Sequence, residues 1–222
     1  MGKAWTLLEE MQEIGVCPDN FTYSTLIKGI RSDYSHSGVT NQKDLEKAFT
    51  LLESMKQLGQ VKPDEILYNC LIDVCVRFRD VNRAVAVYHE MQISGIKPSS
   101  VTYGILIKAY GQANQLDNAF FVFLRMKENN LVPNSVTYGC LIDACVKNNR
   151  VEKAMEVFES MKQDGVPLNT IIYTTLIKGF AKSFKLDKAL EIYDIMKKDD
   201  KIRPNNVTYN SLIDCCVRCN NV

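Results

Sequence analysis

Two sets of side chains in this 222-residue chain could do chemistry: its eight cysteines with two histidines, and a recurring row of charged residues. His36 and His89 are the only imidazoles, too few for a paired-histidine metal site and without a visible partner for Ser-His or Cys-His catalysis. Cys70 and Cys140 share one place in a repeating pattern, while Cys75, Cys145 and Cys216 share another, the behaviour of small buried residues. Free thiols of this kind point to a reducing compartment. Cys216 and Cys219 form a two-residue-gap pair, but no second pair or histidine completes a zinc set. With no carboxylate cluster or glycine-rich phosphate loop either, no catalytic residue, metal or cofactor is expected.

The charged row is more informative. It runs Phe21, Ser24, Lys28 and Ser32, then Ile66, Asn69, Asp73 and Arg77, then Val101, Gly104, Lys108 and Gln112. It continues through Val136, Gly139, Asp143 and Lys147, then Ile171, Thr174, Lys178 and Lys182, then Val207, Asn210, Asp214 and Arg218. Steps of three and four put each quartet on one helix face. Seven cations against three anions leave the row at +4, where the whole chain carries +1, and nearby Asp19 and Asp64 reduce it to +2. Such asymmetry suits a polyanion held with modest, salt-dependent affinity. The plainer alternative is a solvated face on which Asp73, Asp143 and Asp214 neutralise their neighbours.

The elements that position this row recur. Tyr23, Tyr68, Tyr103, Tyr138, Tyr173 and Tyr209 are separated by 45, 35, 35, 35 and 36 residues. Met11, Met55, Met91, Met126, Met161 and Met196 follow at 44, 36, 35, 35 and 35. A period this regular marks a solenoid. Within one repeat, Tyr138, Leu141, Ile142 and Cys145 form the apolar stripe of a first helix, and Val151, Ala154, Met155, Phe158 and Met161 that of a second. The alanine series Ala4, Ala48, Ala84, Ala119, Ala154 and Ala189 marks where two helices approach closely, with an aromatic four residues later in Tyr88, Phe123, Phe158 and Tyr193. Gly15, Gly59, Gly95 and Gly165 close second helices, and Pro18, Pro63, Pro98, Pro133 and Pro204 prevent their continuation.

The expected division is a partial repeat over 1–19, full repeats over 20–64, 65–99, 100–134, 135–169 and 170–205, and a first helix over 206–222. About ten extra residues around Ser32–Gln42 read as an exposed loop. Ends in mid-repeat suggest a piece of a longer array, or partner chains covering the terminal faces. Charged residues at 24% and a mean hydropathy of -0.14 exclude a disordered tail, and no apolar run is long enough to span a bilayer, so no membrane is expected.

Val101-Thr-Tyr-Gly-Ile-Leu-Ile, Val136-Thr-Tyr-Gly-Cys-Leu-Ile, Val207-Thr-Tyr-Asn-Ser-Leu-Ile and the closing Met91–Pro98 stretch resemble pentatricopeptide (PPR) repeats. The resemblance covers the whole chain. It implies an all-α, right-handed superhelical solenoid of helix-turn-helix repeats, similar to tetratricopeptide arrays, whose first helices line a groove for single-stranded RNA. It also implies a role in RNA processing, stability or translation in a mitochondrion or plastid. The amino terminus has no presequence pattern, and a cytoplasmic location is the alternative.

Chemistry then gives each row position a role. The apolar residues Phe21, Ile66, Val101, Val136, Ile171 and Val207 can press on the flat face of an unstacked base. Arg77, Lys147, Lys182 and Arg218 are placed for phosphates, which set register while base edges give specificity. By resemblance, the residue after each tyrosine and the last residue of the repeat read one base together. Those pairs are Ser24 with Asp64, Asn69 with Ser99, Gly104 with Asn134, Gly139 with Asn169 and Thr174 with Asn205, with Asn210 left as a single reader. The family correspondence implies 5′-G-pyrimidine-A-A-A-3′. The early Pro167 and an extra residue before Pro204 depart from the pattern ahead of Asn169 and Asn205. Two rival functions stand beside this one: a scaffold that grips other proteins, or itself through its terminal half-repeats, and the recognition part of a larger RNA-processing enzyme.

Overall fold

The computed structural model describes residues 2–30, 42–59 and 61–219. Among these are twelve α-helices and no strand: α1 (Gly2–Glu13), α2 (Asn20–Gly29), α3 (Gln42–Leu58), α4 (Glu65–Arg77), α5 (Val81–Ile93) and α6 (Ser100–Gln112). They continue as α7 (Leu116–Glu128), α8 (Ser135–Lys147), α9 (Val151–Gln163), α10 (Thr170–Lys182), α11 (Leu186–Lys197) and α12 (Asn206–Arg218). The expected loop around Ser32–Gln42, with His36, lies outside the described residues except for Gln42, which opens α3. None of the described helices is long and apolar enough to cross a membrane. The chain is an all-α helical-repeat solenoid.

The chain divides into two compact units, 1–109 and 110–222. In the first, α2 packs beside α4, and α3 and α5 pack against α4. In the second, α8, α10 and α12 lie side by side, backed by α7, α9 and α11. The tyrosine series forms the core of both: Tyr23, Tyr68, Tyr103, Tyr138 and Tyr173 are buried, as are the alanines from Ala48 to Ala189 and the methionines from Met55 to Met196. Each second-helix aromatic meets the next repeat's tyrosine edge-on. Tyr88–Tyr103, Phe123–Tyr138, Phe158–Tyr173 and Tyr193–Tyr209 have ring centroids 6.2, 5.2, 5.6 and 5.9 Å apart. Such pairs add about 0.5–1.5 kcal/mol beyond their buried area.

The methionine positions coincide with the closures of the second helices. The carbonyls of Met11, Met91, Met126 and Met161 accept from the amides of Val16, Ile96, Leu131 and Val166, which wraps each helix end into a left-handed closure. Gly15, Gly95 and Gly165 supply the positive φ there, and Asn130 takes that place after α7 with φ 58°. First helices close the same way, through Arg79, Asn114, Asn149 and Phe184. Nothing in glycine content announces those four turns.

Candidate functional site

The six apolar residues that start the rows stand out. Phe21, Ile66, Val101, Val136, Ile171 and Val207 sit in the first turns of α2, α4, α6, α8, α10 and α12 and are 47–76% exposed. Each is next to the buried part of its own helix, so their exposure is not a matter of loose ends. In the carboxy-terminal unit the rows converge. Asp143, Lys147, Lys178, Lys182, Val207 and Asn210, with Asp214 and Arg218, line one open groove of about 500 Å³ over α8, α10 and α12. Val146, Thr175 and Ser211 also line it and are absent from the row as read from spacing. Thr175 stands four residues after Ile171, and Ser211 four after Val207, so the step of four does contain the signal. Their hydroxyls donate to the Ile171 and Val207 carbonyls at 2.8 and 2.6 Å.

The cations divide into two groups. Lys147 meets Asp143 at 2.5 Å, Arg218 meets Asp214 at 2.7 Å, and Arg77 and Lys108 approach Asp73 at 3.1 and 3.8 Å. Arg77 also donates to the carbonyls of Lys28 and Ile30, so it ties α4 to the end of α2. Lys28, Lys178 and Lys182 are exposed and form no ion pair among the described residues. Exposed pairs such as Lys147–Asp143 contribute roughly 0.3–0.5 kcal/mol, so an arriving phosphate can compete for the ammonium.

The residues that end the repeats are helix caps. Asp64 accepts from the Leu67 amide at 2.8 Å, Asn134 from Val136 and Thr137 at 3.0 Å each, Asn169 from Ile172 at 3.0 Å and Asn205 from Thr208 at 3.0 Å. Ser99 accepts from the Val101 amide at 3.2 Å. Capping satisfies helix donors that would otherwise lack partners, and is worth about 1 kcal/mol each. Asp19 caps α2 likewise, and the Thr22 amide and hydroxyl hold its carboxyl below the usual range. Capping consumes only the oxygen of the asparagines, and their NH2 groups remain available. The early Pro167 and the extra residue before Pro204 leave Asn169 and Asn205 at the helix starts.

Behind each tyrosine the small polar residues are more enclosed. Ser24, Asn69, Gly104 and Thr174 are buried, Gly139 is half-buried, and Asn210 is exposed. Ser24 donates to the Phe21 carbonyl at 3.1 Å. A Cβ on Gly139 would lie 3.3 Å from the Ile172 side chain, whereas one on Gly104 would meet nothing within 4 Å.

The cysteines stay apart from this surface for the most part. Cys70, Cys75, Cys145 and Cys215 are buried, and burial pushes the Cys75 and Cys145 thiols up to about 12. Cys216 and Cys219, the two-residue-gap pair, are free thiols and half-buried. No group of three or more metal-ligating side chains occurs among the described residues.

Known proteins share the repeat pattern and the fold. Matches to the PPR repeat family cover residues 1–31, 63–112, 100–147, 133–182 and 168–218. A chloroplastic pentatricopeptide repeat-containing protein of Arabidopsis thaliana is 32% identical over 92 residues, which are 41% of this chain and 11% of that protein. A mitochondrial 15S rRNA processing factor of Candida albicans is 29% identical over 93 residues, with the same 41% and 11% coverage. The crystal structure of maize PPR10 superposes with a TM-score of 0.66 at 29% identity, over 94% of this chain and 28% of PPR10. PPR10 in complex with an 18-nt psaJ RNA element gives 0.72 at 20% identity, over 99% and 35%. The chain thus spans about a tenth of the two curated relatives and about a third of PPR10. With its repeats matched from residue 1 to residue 218 apart from the 32–62 stretch, the chain belongs to the PPR repeat family.

Proposed function

We propose that this chain binds single-stranded RNA along the exposed rows of its first helices, one base per repeat, and serves RNA processing without catalysing a reaction itself. The observation that carries the reading is the exposure of Phe21, Ile66, Val101, Val136, Ile171 and Val207, one at each helix start. Exposed branched or aromatic residues at regular spacing lose water against apolar partners, and unpaired bases supply flat apolar faces at a regular spacing of their own. PPR10, similar over nearly the whole chain, has been crystallised with RNA, which supports the same ligand here. The names of the relatives support an organellar setting, chloroplast or mitochondrion.

In this reading Asn69 with Ser99 reads a pyrimidine, Ser24 with Asp64 a guanine, and Gly104 with Asn134, Gly139 with Asn169 and Thr174 with Asn205 adenines. Lys28, Lys178 and Lys182 meet phosphates first, with Lys147, Arg218 and Arg77 following by exchange of their aspartate partners. Selection from a random RNA pool is the test. Enrichment of a G-pyrimidine-A-A-A core is expected, and enrichment of double-stranded elements, or of nothing, would sink the reading.

A further inference from the structure

The side chain of one reader and the backbone of its partner are joined through a residue of the following helix. The Ser99 amide donates to Thr102 Oγ1 at 3.1 Å, and Thr102 Oγ1 donates to Asn69 Oδ1 at 2.7 Å. Asn69 Nδ2 then faces Glu65 Oε1 at 3.2 Å, which leaves its second N–H unassigned. Thr102 is fully buried and Asn69 is 9% exposed, so the hydroxyl is inaccessible to solvent and the residue it holds keeps only a small exposed area.

The same arrangement recurs in the carboxy-terminal unit. The Asn205 amide donates to Thr208 Oγ1 at 3.3 Å, Thr208 Oγ1 reaches Asn205 Oδ1 at 3.1 Å and Thr174 Oγ1 at 3.1 Å, and the Thr174 hydroxyl also donates to the Thr170 carbonyl of its own helix at 2.7 Å. Thr208 is fully buried too. Where the following helix lacks the hydroxyl, the partner differs. Ile172 holds that place after Gly139, and a Cβ there would press on the Ile172 side chain. Leu67 holds it after Ser24, whose hydroxyl turns back to its own helix.

We infer that Thr102 and Thr208 are specificity-positioning residues: each fixes the orientation of the polar reader in the preceding repeat and couples it to the reader at the repeat's end. Without the hydroxyl, the Asn69 amide can flip, exchanging donor for acceptor toward the base. The inference rests on the RNA-reading proposal above and deepens it.

The test uses a fluorescein-labelled oligoribonucleotide carrying the G-pyrimidine-A-A-A core, with each of the four bases in turn at the second position, and reads affinity by anisotropy. Thr102→Val should lower the pyrimidine preference at that position about three- to tenfold, the worth of one hydrogen bond, and Thr102→Ser should restore it. Thr137→Val removes an equivalent hydroxyl that caps Asn134 and touches neither Asn69 nor Ser99, and should leave the preference at the second position unchanged. Discrimination retained in Thr102→Val but lost in Asn69→Ala overturns the positioning role and leaves the reading pairs standing. Discrimination unaffected by Asn69→Ala overturns both. Should Thr102→Val fail to fold, Thr208→Val puts the same question to Thr174 and the last adenine: preference lost there supports the positioning role, and preference kept overturns it.

Discussion

Cys75 and Cys145 occupy one repeat position and share one fate, since burial pushes each thiol from the ordinary 9.0 up to about 12. A raised acid pKa means the fold prefers the protonated form. Its contribution to stability is complete below pH 9 and is lost as pH climbs from 9 towards 12. Burial raises the Tyr68, Tyr138 and Tyr173 hydroxyls in the same sense. Urea midpoints should therefore fall across that window, less steeply in Cys75→Ala and Cys145→Ala. At about pH 8 a thiol reagent should modify exposed Cys17 quickly and these two only after unfolding; equal rates would contradict the burial. That the cysteines are structural was legible from their repeat positions. Arg77 was harder: its row position suggests a phosphate ligand, and nothing in spacing announces the Lys28 and Ile30 carbonyls that engage it. A helical stripe tells which face a residue occupies, not which neighbour waits there.

Helix α6 carries two glycines in opposite circumstances. A Cβ on Gly111 would stand 2.5 Å from Ala144 Cβ and 3.0 Å from Ala144 Cα, so backbone must move. Gly111→Ala should lose about 1–3 kcal/mol to overpacking, more than the helix propensity it gains. Gly104→Ala meets open space and should gain about 0.5–1 kcal/mol, raising Tm by roughly 1–4 °C. Thermal melts of the two variants should move in opposite directions, and a shared direction would show the α6–α8 approach to be looser than these distances require. Helix existence and type were readable because the apolar stripes recur at every repeat and caps or closing glycines agree with them at most repeats. The turns through Arg79 and Phe184 were not, since neither residue type favours a positive φ and tertiary packing overrides that preference. The Thr102–Asn69 bond escaped for a related reason: the Val-Thr-Tyr motif announces a helix start, while the second partner of its hydroxyl belongs to another repeat.

The chain as a whole is nearly neutral at +1, so attraction of a polyanion has to come from local charge. Lys178 and Lys182 lie in the carboxy-terminal groove without ion pairs among the described residues, whereas Lys147 and Arg218 are held by Asp143 and Asp214. Replacing Lys178 and Lys182 with alanine should weaken binding to all RNA sequences alike and make the slope of log affinity against log salt shallower by up to about 1.4. The same replacement of Lys147 and Arg218 should change the slope less. Equal slopes would mean that the ion pairs open freely and the distinction has no consequence. Stability, by contrast, accumulates from neighbour to neighbour, with four boundaries latched by aromatic pairs such as Phe158–Tyr173. One boundary feature bears on anyone who would recombine such arrays. A cut between Ser99 and Ser100 separates Asn69 from the threonine that steadies it, so a transplanted module inherits whatever residue its new downstream neighbour places there. Grafts that carry the opening turn of the next helix along with them keep the original partner.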